Sequence, residues 1–220
     1  MNMNRREFSA RVVGTSAGLS ALGLALATPA LAQGPEPKEG AEFTRLNPPV
    51  APSAGAKIEV LEFFSYACPH CSAFEPTLEA WAKQLPADVV FKRMPVPFLT
   101  NAENFQRTYF ALESLGLVST MQRKIFTAVH VDRLPLEKPA EIAALVAKNG
   151  GDEKKFLDAF NSFSVVTNVG RAKKAMADYK VDSVPLLAVH GRFITSPSMA
   201  GSAERALAVA ELLIQRSRKG

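Results

Sequence analysis

The hydrophobic residues of the chain follow two patterns, short continuous runs and runs with a helical period. Apolar runs that begin at Ile58, at Val89 and after Pro185 predict buried strands. A further strand is predicted at residues 192–195, after a turn at residues 190–191. Elsewhere apolar residues recur every three or four positions, which is the spacing of one helix face. Strands and helices together predict an α/β fold.

Helical patterns occupy the middle of the chain, from about residue 101 to residue 165. We interpret their apolar stripes as core, because no glycine-rich loop that could hold a phosphate accompanies them. Asp152 is placed to cap the last of these helices. Two more helices are predicted over residues 169–179 and 203–216. The stripes of the central region are Phe105, Tyr109, Leu112 and Leu115; Met121, Ile125 and Val129; Ile142, Leu145 and Val146; and Phe156, Leu157 and Phe160.

The first predicted strand runs into Cys68-Pro69-His70-Cys71, which contains the only two cysteines of the chain. Pro69 suits the first position of a helix, where its missing N–H costs nothing. The apolar period continues past Pro76, so we expect the helix to bend there rather than end. The two cysteines therefore open a helix.

This position predicts different chemistry for the two thiols. Cys68 should lie beside the free N–H groups and the positive end of the helix dipole, which lowers its pKa. His70 could stabilise the Cys68 thiolate further. Cys71 should be less exposed and act as the resolving thiol. A dithiol this close can form a disulfide and reopen through a mixed disulfide.

Three other interpretations of the cysteine pair are weaker. A zinc site needs four ligands, and the other histidines, His130 and His190, stand alone. A structural disulfide closing so short a loop would stabilise little. Buried inert cysteines do not account for Pro-His at a helix start. Redox catalysis is favoured, and we expect His130 at the surface or at a helix cap.

The stretch Leu61-Glu62-Phe63-Phe64-Ser65-Tyr66, running into Cys68-Pro69-His70-Cys71, resembles the DsbA-type periplasmic thiol-disulfide oxidoreductases. The Pro-His pair between the cysteines is the specific part. The resemblance implies a thioredoxin fold with an inserted all-helical domain and a central mixed sheet. Its thioredoxin-like domain would comprise residues 55–100 and 167–220, and the helical domain residues 101–166. The redox-active disulfide Cys68–Cys71 would serve without any other cofactor.

Four further residues match functional positions of that family. Glu62 resembles the buried acid beneath the disulfide, whose pKa would rise on burial and which could relay protons to the resolving cysteine. Arg93 stands where the family has a basic residue that can pair with this acid. Val184-Pro185 resembles the pair whose proline is cis and packs beside the redox cysteines. By contrast, we expect Glu59 on the exposed side of its strand.

The N-terminal residues predict export. Arginines at residues 5, 6 and 11, an apolar run and Ala30-Leu31-Ala32 predict a cleavable signal peptide over residues 1–32. Arg5-Arg6-Glu7-Phe8 resembles the twin-arginine motif, with an ordinary Sec signal as the alternative. Residues 33–54 are a lead-in segment in which residues 43–46 could add an edge strand. Cleavage would leave 188 residues and lower the net charge from +5 to +3.

The sequence as a whole predicts an enzyme that donates its disulfide to reduced exported proteins in the periplasm. By resemblance, a quinone-linked membrane oxidase of the DsbB type would reoxidise it. No basic cluster is interleaved with aromatic residues, so a nucleic-acid partner is not expected, and we expect a monomer. A reductase or isomerase on the same fold, and an exported metal-binding module, are the alternatives.

Overall fold

A five-stranded mixed sheet organises residues 35–219, the part of the chain that the computed structural model describes. The spatial order is β1-β5-β4-β2-β3, in which only β2 and β3 run parallel. The predicted mixed sheet is therefore confirmed. The predicted signal peptide lies outside the described residues. The strands are β1 Thr44–Arg45, β2 Ile58–Phe64, β3 Val89–Pro95, β4 Leu186–Val189 and β5 Phe193–Thr195.

Strand β2 is buried along its whole length, because it has neighbours on both edges and apolar layers on both faces. Val60 packs into one cluster with helices, and Leu61 into another on the opposite face. The expectation that Glu59 is exposed is wrong for this reason. Its side chain is buried and bonds to Ser53 Oγ and to Lys92 Nζ, the latter at 3.0 Å.

Eight helices occur in residues 35–219, and all except the short helix Pro197–Ala200, which was not predicted, follow the predicted stripes. Helix α1 continues through Pro76, as predicted. Asp152 caps α5, where its Oδ1 accepts the N–H of Lys155 at 2.8 Å. None of the described helices is long and apolar enough to cross a membrane. The helices are α1 Pro69–Ala82, α2 Ala102–Ser114, α3 Val118–His130, α4 Pro139–Lys148, α5 Glu153–Phe160, α6 Phe163–Asp178, α7 Pro197–Ala200 and α8 Ala203–Arg218.

Helix α6 contributes to two different hydrophobic clusters. Val165 and Val169 pack with helices α2 to α5, whereas Met176 packs against the sheet residues of the third cluster. The helix is continuous through residues 166 and 167, where the predicted boundary between the helical and thioredoxin-like domains falls. That division into domains stays a prediction.

The predicted edge strand in the lead-in segment is confirmed as β1, which pairs antiparallel with β5. The segment continues along the sheet edge, where the Val50 N–H donates to the Gly191 carbonyl at 2.8 Å. Gly191 has φ +64°, and a Cβ there would lie 1.7 Å from the Val50 carbonyl oxygen. Only glycine fits this approach.

Helix α1 is held at its C-terminal end by α8. Trp81, the only tryptophan of the chain, donates its Nε1–H to Glu211 on α8 at 3.0 Å. Phe74 and Leu78 lie on the same buried face. From Phe74 to Trp81, the helix that carries the cysteines therefore shares one hydrophobic cluster with strand residues and with α8.

Candidate active site

Cys68 is the N-cap of α1, as predicted, and its backbone is extended there. Its sulfur accepts the N–H of Cys71 at 3.3 Å, and Pro69 occupies the first turn. The N–H of Cys68 donates to the Ser65 carbonyl at 3.0 Å, which fixes the loop before the helix. Both cysteines are buried free thiols in this structure, and Cys71 is the more enclosed at 0% exposure against 4%. Pro69 and His70 face solvent.

The surroundings separate the pKa values of the two thiols. The hydrogen bond from the Cys71 side chain is the largest cause that lowers the pKa of Cys68 to about 6, against opposing burial. The backbone N–H groups of Cys71 and His70 and the charge of His70 add to it. Burial raises the pKa of Cys71 well above its ordinary value, aided by its bond to Cys68 and the charge of Glu62. At neutral pH one thiol is ionised and the other protonated.

The Val184–Pro185 pair lies beside Cys68. The peptide bond between these residues is cis, as the resemblance implies. Cys68 Sγ is 3.5 Å from the Val184 carbonyl oxygen. The loop before β4 therefore presents a backbone acceptor next to the more reactive sulfur.

Glu62 and Arg93 form an ion pair under the cysteines. Arg93 Nε donates to Glu62 Oε2 at 2.9 Å, and the Glu62 side chain is fully buried. Burial is the main cause that raises the pKa of Glu62 to about 8; Arg93 opposes it, while Glu75 and Cys68 add to it. Glu62 Oε1 has no hydrogen-bond partner among the described residues. This oxygen is free to carry a proton.

Glu75 is a buried acid that the sequence reasoning missed. Arg93 Nη2 donates to Glu75 Oε1 at 2.6 Å, so Glu62 and Glu75 share one guanidinium. Burial raises the pKa of Glu75, against the opposing charge of Arg93. A signal was present, because Glu75 is four residues after Cys71 and three before Leu78 on the apolar face of α1.

Helix α3 also contacts the site, through residues far away in sequence. The Tyr66 hydroxyl donates to Gln122 Oε1 at 2.6 Å, and Gln122 Nε2 donates to Glu75 Oε2 at 3.4 Å. His130 Nε2 lies 2.8 Å from the Tyr66 carbonyl oxygen. Since a carbonyl can only accept, this nitrogen carries the proton. His130, expected at the surface or at a helix cap, is the half-buried last residue of α3, and its ring bonds to the loop before Cys68.

The arrangement suits thiol-disulfide exchange. A sulfur with a low pKa leaves readily, while the second sulfur is kept protonated beside a buried acid. Among residues 35–219, no group of three or more His, Cys, Asp or Glu side chains is placed to hold a metal ion. Fold and site together define a thiol-disulfide oxidoreductase.

Comparison with known proteins gives the family. Residues 59–206 match the family described as DSBA-like thioredoxin domain. The chain is 40% identical over 202 residues to the thiol:disulfide interchange protein DsbA of Bordetella parapertussis, covering 91% of this chain and 96% of that protein. A crystal structure of Pseudomonas aeruginosa DsbA is 38% identical, with a TM-score of 0.80, over 83% of this chain and 95% of that one.

The chain therefore belongs to the DsbA-like thioredoxin domain family. The predicted thioredoxin fold with a helical insertion is confirmed by the family match and the solved structures. The protein is a dithiol:disulfide oxidoreductase, and its redox group is the disulfide of its own cysteines rather than a bound cofactor.

Proposed function

We propose that this protein donates the Cys68–Cys71 disulfide to reduced dithiols of exported proteins in the periplasm. The observation that carries the proposal is the contrast between the thiols: Cys68 at the helix N-terminus with a pKa near 6, and Cys71 buried with a raised pKa. A sulfur with a low pKa is a good leaving group and makes the reduced enzyme the favoured product.

The reaction starts on the oxidised enzyme. A substrate thiolate attacks Cys68 Sγ, a substrate–Cys68 disulfide forms, and the bond to Cys71 breaks. Cys71 leaves as a thiolate and takes a proton from the Glu62 carboxyl group. Its raised pKa then holds that proton. Arg93 stabilises the Glu62 carboxylate that remains.

Release of product completes the exchange. A second substrate thiolate attacks the substrate sulfur of the mixed disulfide, so the substrate gains a disulfide and Cys68 departs as a thiolate. Two electrons have passed from the substrate dithiol to the enzyme. The hydrogen bonds from Cys71 and the helix N-terminus stabilise the departing Cys68 thiolate, and His70 assists with its charge. Pro69 sets the helix start that directs these groups at the sulfur.

Substrate is held beside Cys68 by backbone pairing. The Val184 carbonyl, 3.5 Å from Cys68 Sγ, accepts an N–H from an extended substrate segment. Such pairing is independent of sequence, which suits an enzyme that oxidises many proteins.

The cellular setting follows from the export signal and from the relatives. Residues 1–32 direct the chain to the periplasm, where disulfides persist. Related proteins are named thiol:disulfide interchange proteins. A quinone-linked membrane oxidase of the DsbB type restores the Cys68–Cys71 disulfide. The enzyme acts as a monomer on protein substrates and does not bind nucleic acid.

The redox equilibrium of the purified protein tests the donor role. Mature protein is equilibrated in glutathione buffers, and its thiols are trapped and counted. We expect a strongly oxidising potential, with the reduced form more stable to unfolding, because the Cys68 thiolate is stabilised in the folded state. A reducing potential like that of thioredoxin would contradict the donor role and indicate a reductase.

Cysteine variants test the assigned roles. Cys68→Ser should abolish exchange with a reduced peptide. Cys71→Ser, mixed with oxidised glutathione, should accumulate a Cys68–glutathione disulfide, because the Cys68 thiolate attacks the disulfide, one glutathione thiolate leaves, and no Cys71 thiol is present to reverse the step. Trapped species are identified by mass spectrometry of intact protein. Normal turnover by Cys71→Ser would overturn the roles given to the two sulfurs.

Zinc titration of the reduced protein tests the alternative of a metal-binding module. Tight zinc binding that is lost in Cys71→Ser would favour that alternative over the redox enzyme.

A further inference from the structure

The two buried acids under the cysteines compete for one cation. Glu62 Oε2 and Glu75 Oε1 both bond to the Arg93 guanidinium, at 2.9 and 2.6 Å. Both carboxyl groups are buried, at 0% and 1% exposure. Burial raises the pKa of each. Two carboxylates with one guanidinium leave an unbalanced negative charge, so the pair tends to hold one proton. Which acid holds it matters for the protonation of Cys71.

The remaining contacts of the two acids differ. Glu75 Oε2 accepts an N–H from Gln122 at 3.4 Å, whereas Glu62 Oε1 has no partner among the described residues. Glu75 also lines a cleft of about 480 Å³ together with Arg93 and Gln122, and Glu62 does not. A hydrogen-bond donor and a position at the wall of an open cleft both favour the ionised form. These contacts place the charge on Glu75.

The orientation of the Gln122 amide is fixed by a second contact. The Tyr66 hydroxyl donates to Gln122 Oε1 at 2.6 Å, which directs Nε2 toward Glu75. Gln122 is 3% exposed, and Phe126, one turn later on α3, packs edge-on against the Tyr66 ring at 5.2 Å. A turned amide would place its oxygen against Glu75 Oε2, where a carboxylate and an amide oxygen can both only accept, so Nε2 stays toward the carboxylate.

We propose that Gln122 is a positioning residue that keeps the negative charge of the acid pair on Glu75 and the shared proton on Glu62. This inference rests on the proposed role of Glu62 as proton donor to Cys71. It assigns to helix α3, from the helical region, a part in the chemistry of the cysteines. Gln122 touches neither sulfur and acts only through Glu75 and Arg93.

Of the other charged groups around the two acids, Arg93 acts on both and the rest act on one of them. Glu62 is influenced by Arg93, Glu75 and Cys68, and its own charge acts on Cys71. Arg93 is influenced by both acids and by Tyr66 and Tyr109; Glu75 is influenced by Arg93, Gln122, Glu79 and Arg123. Of these neighbours, Gln122 is the neutral hydrogen-bond donor that favours one acid over the other.

The test is a pH titration of the glutamate carboxyl groups in the reduced mature protein. Carbon-13 NMR of labelled glutamate side chains measures the titration midpoint of each group. In Gln122→Met we expect the titration midpoint of Glu62 to fall by roughly half to one pH unit and that of Glu75 to rise, because Glu75 has lost its donor. Tyr66→Phe should shift both midpoints in the same directions by a smaller amount. Tyr66→Phe keeps the aromatic packing and removes only the hydroxyl that bonds to the Gln122 amide.

Gln106→Met is the matched control. Gln106 is an equally buried glutamine on α2, whose Nε2 donates to the Pro95 carbonyl at 2.8 Å and which has no hydrogen bond to either acid among the described residues. It should leave both midpoints unchanged. Unchanged midpoints in Gln122→Met, or an equal shift in Gln106→Met, would overturn the inference; if Gln122→Met does not fold, an unchanged Tyr66→Phe titration does so. The titration needs no turnover, so it is independent of the cysteine-variant exchange assay that tests the proposed function.

Discussion

At the scale of single residues, the site shows how position alone separates two identical side chains. Cys68 receives N–H groups at a helix start, and its pKa falls to about 6. Cys71 lies one turn into the same helix, where burial raises its pKa. The two shifts reinforce each other, because the protonated Cys71 donates to the ionised Cys68. The difference between the two pKa values therefore depends on both cysteines together.

The causes of the Cys68 shift predict an order of effects. Cys71→Ala removes the largest cause, so it should raise the pKa of Cys68 more than His70→Ala does. His70→Ala keeps its backbone N–H and loses only the side-chain charge, so the expected rise is less than about one pH unit. Ultraviolet absorbance of the thiolate against pH measures both. A larger rise in His70→Ala would show that the imidazole, rather than Cys71, stabilises the thiolate.

At the scale of elements, the sheet edge depends on one close backbone approach. Gly191 turns β4 into β5, and its position lets the Val50 segment lie against the hairpin. Gly201, at the end of α7, also has a positive φ, of +89°, but nothing lies within 4 Å of a Cβ placed there. A substitution at Gly201 therefore tests backbone strain alone, whereas one at Gly191 tests backbone strain and steric contact together.

Alanine substitution should distinguish these glycines. Gly201→Ala should cost about 1 kcal/mol in free energy of unfolding, since only the left-handed backbone is disfavoured. Gly191→Ala should cost clearly more and should loosen residues 50–53, because the Val50 carbonyl must move. Chemical denaturation gives the free energies, and amide hydrogen exchange reports the segment. Equal costs would mean that the lead-in segment contributes little to stability.

Elements were predictable from sequence where a local pattern decides them. The strands, the helix that begins at the cysteines and the Asp152 cap follow from apolar spacing and turn residues. Glu59 was not predictable, because alternation along a strand does not show that both faces are covered. The contacts of Gln122 and His130 with Tyr66 were not predictable either, since they join residues 56 and 64 positions apart.

At the scale of the whole molecule, the ionised thiol couples redox state to stability. The pKa of Cys68 is about 6 in the folded reduced protein, against an ordinary value of 9.0. Between these values the unfolded chain binds one more proton than the folded one, so stability rises with pH. The stabilisation is complete above the unfolded value and is lost as pH falls through about 6. The oxidised protein has no such group.

This coupling predicts a pH-dependent difference between the two redox forms. The free energy of unfolding of the reduced protein, minus that of the oxidised protein, should rise from pH 6 toward pH 9, by at most about 1.4 kcal/mol per pH unit. Urea denaturation of both forms across this range measures it. The same comparison for reduced Cys68→Ser against reduced wild type isolates the thiolate. Glu62, whose pKa is raised to about 8 in part by the Cys68 charge, opposes this rise. A difference that is flat or falls with pH would contradict a net stabilisation by the Cys68 thiolate.

The contact between Trp81 and Glu211 determines what intrinsic fluorescence can report. The single indole lies 13 residues from Cys68 along α1, which corresponds to about 20 Å of helix. A disulfide quenches an indole only near contact, so emission is expected to be the same in both redox forms. Fluorescence will follow the separation of α1 from α8 during unfolding. Optical denaturation curves of the oxidised and reduced protein can therefore be compared directly, without correction for the sulfur chemistry.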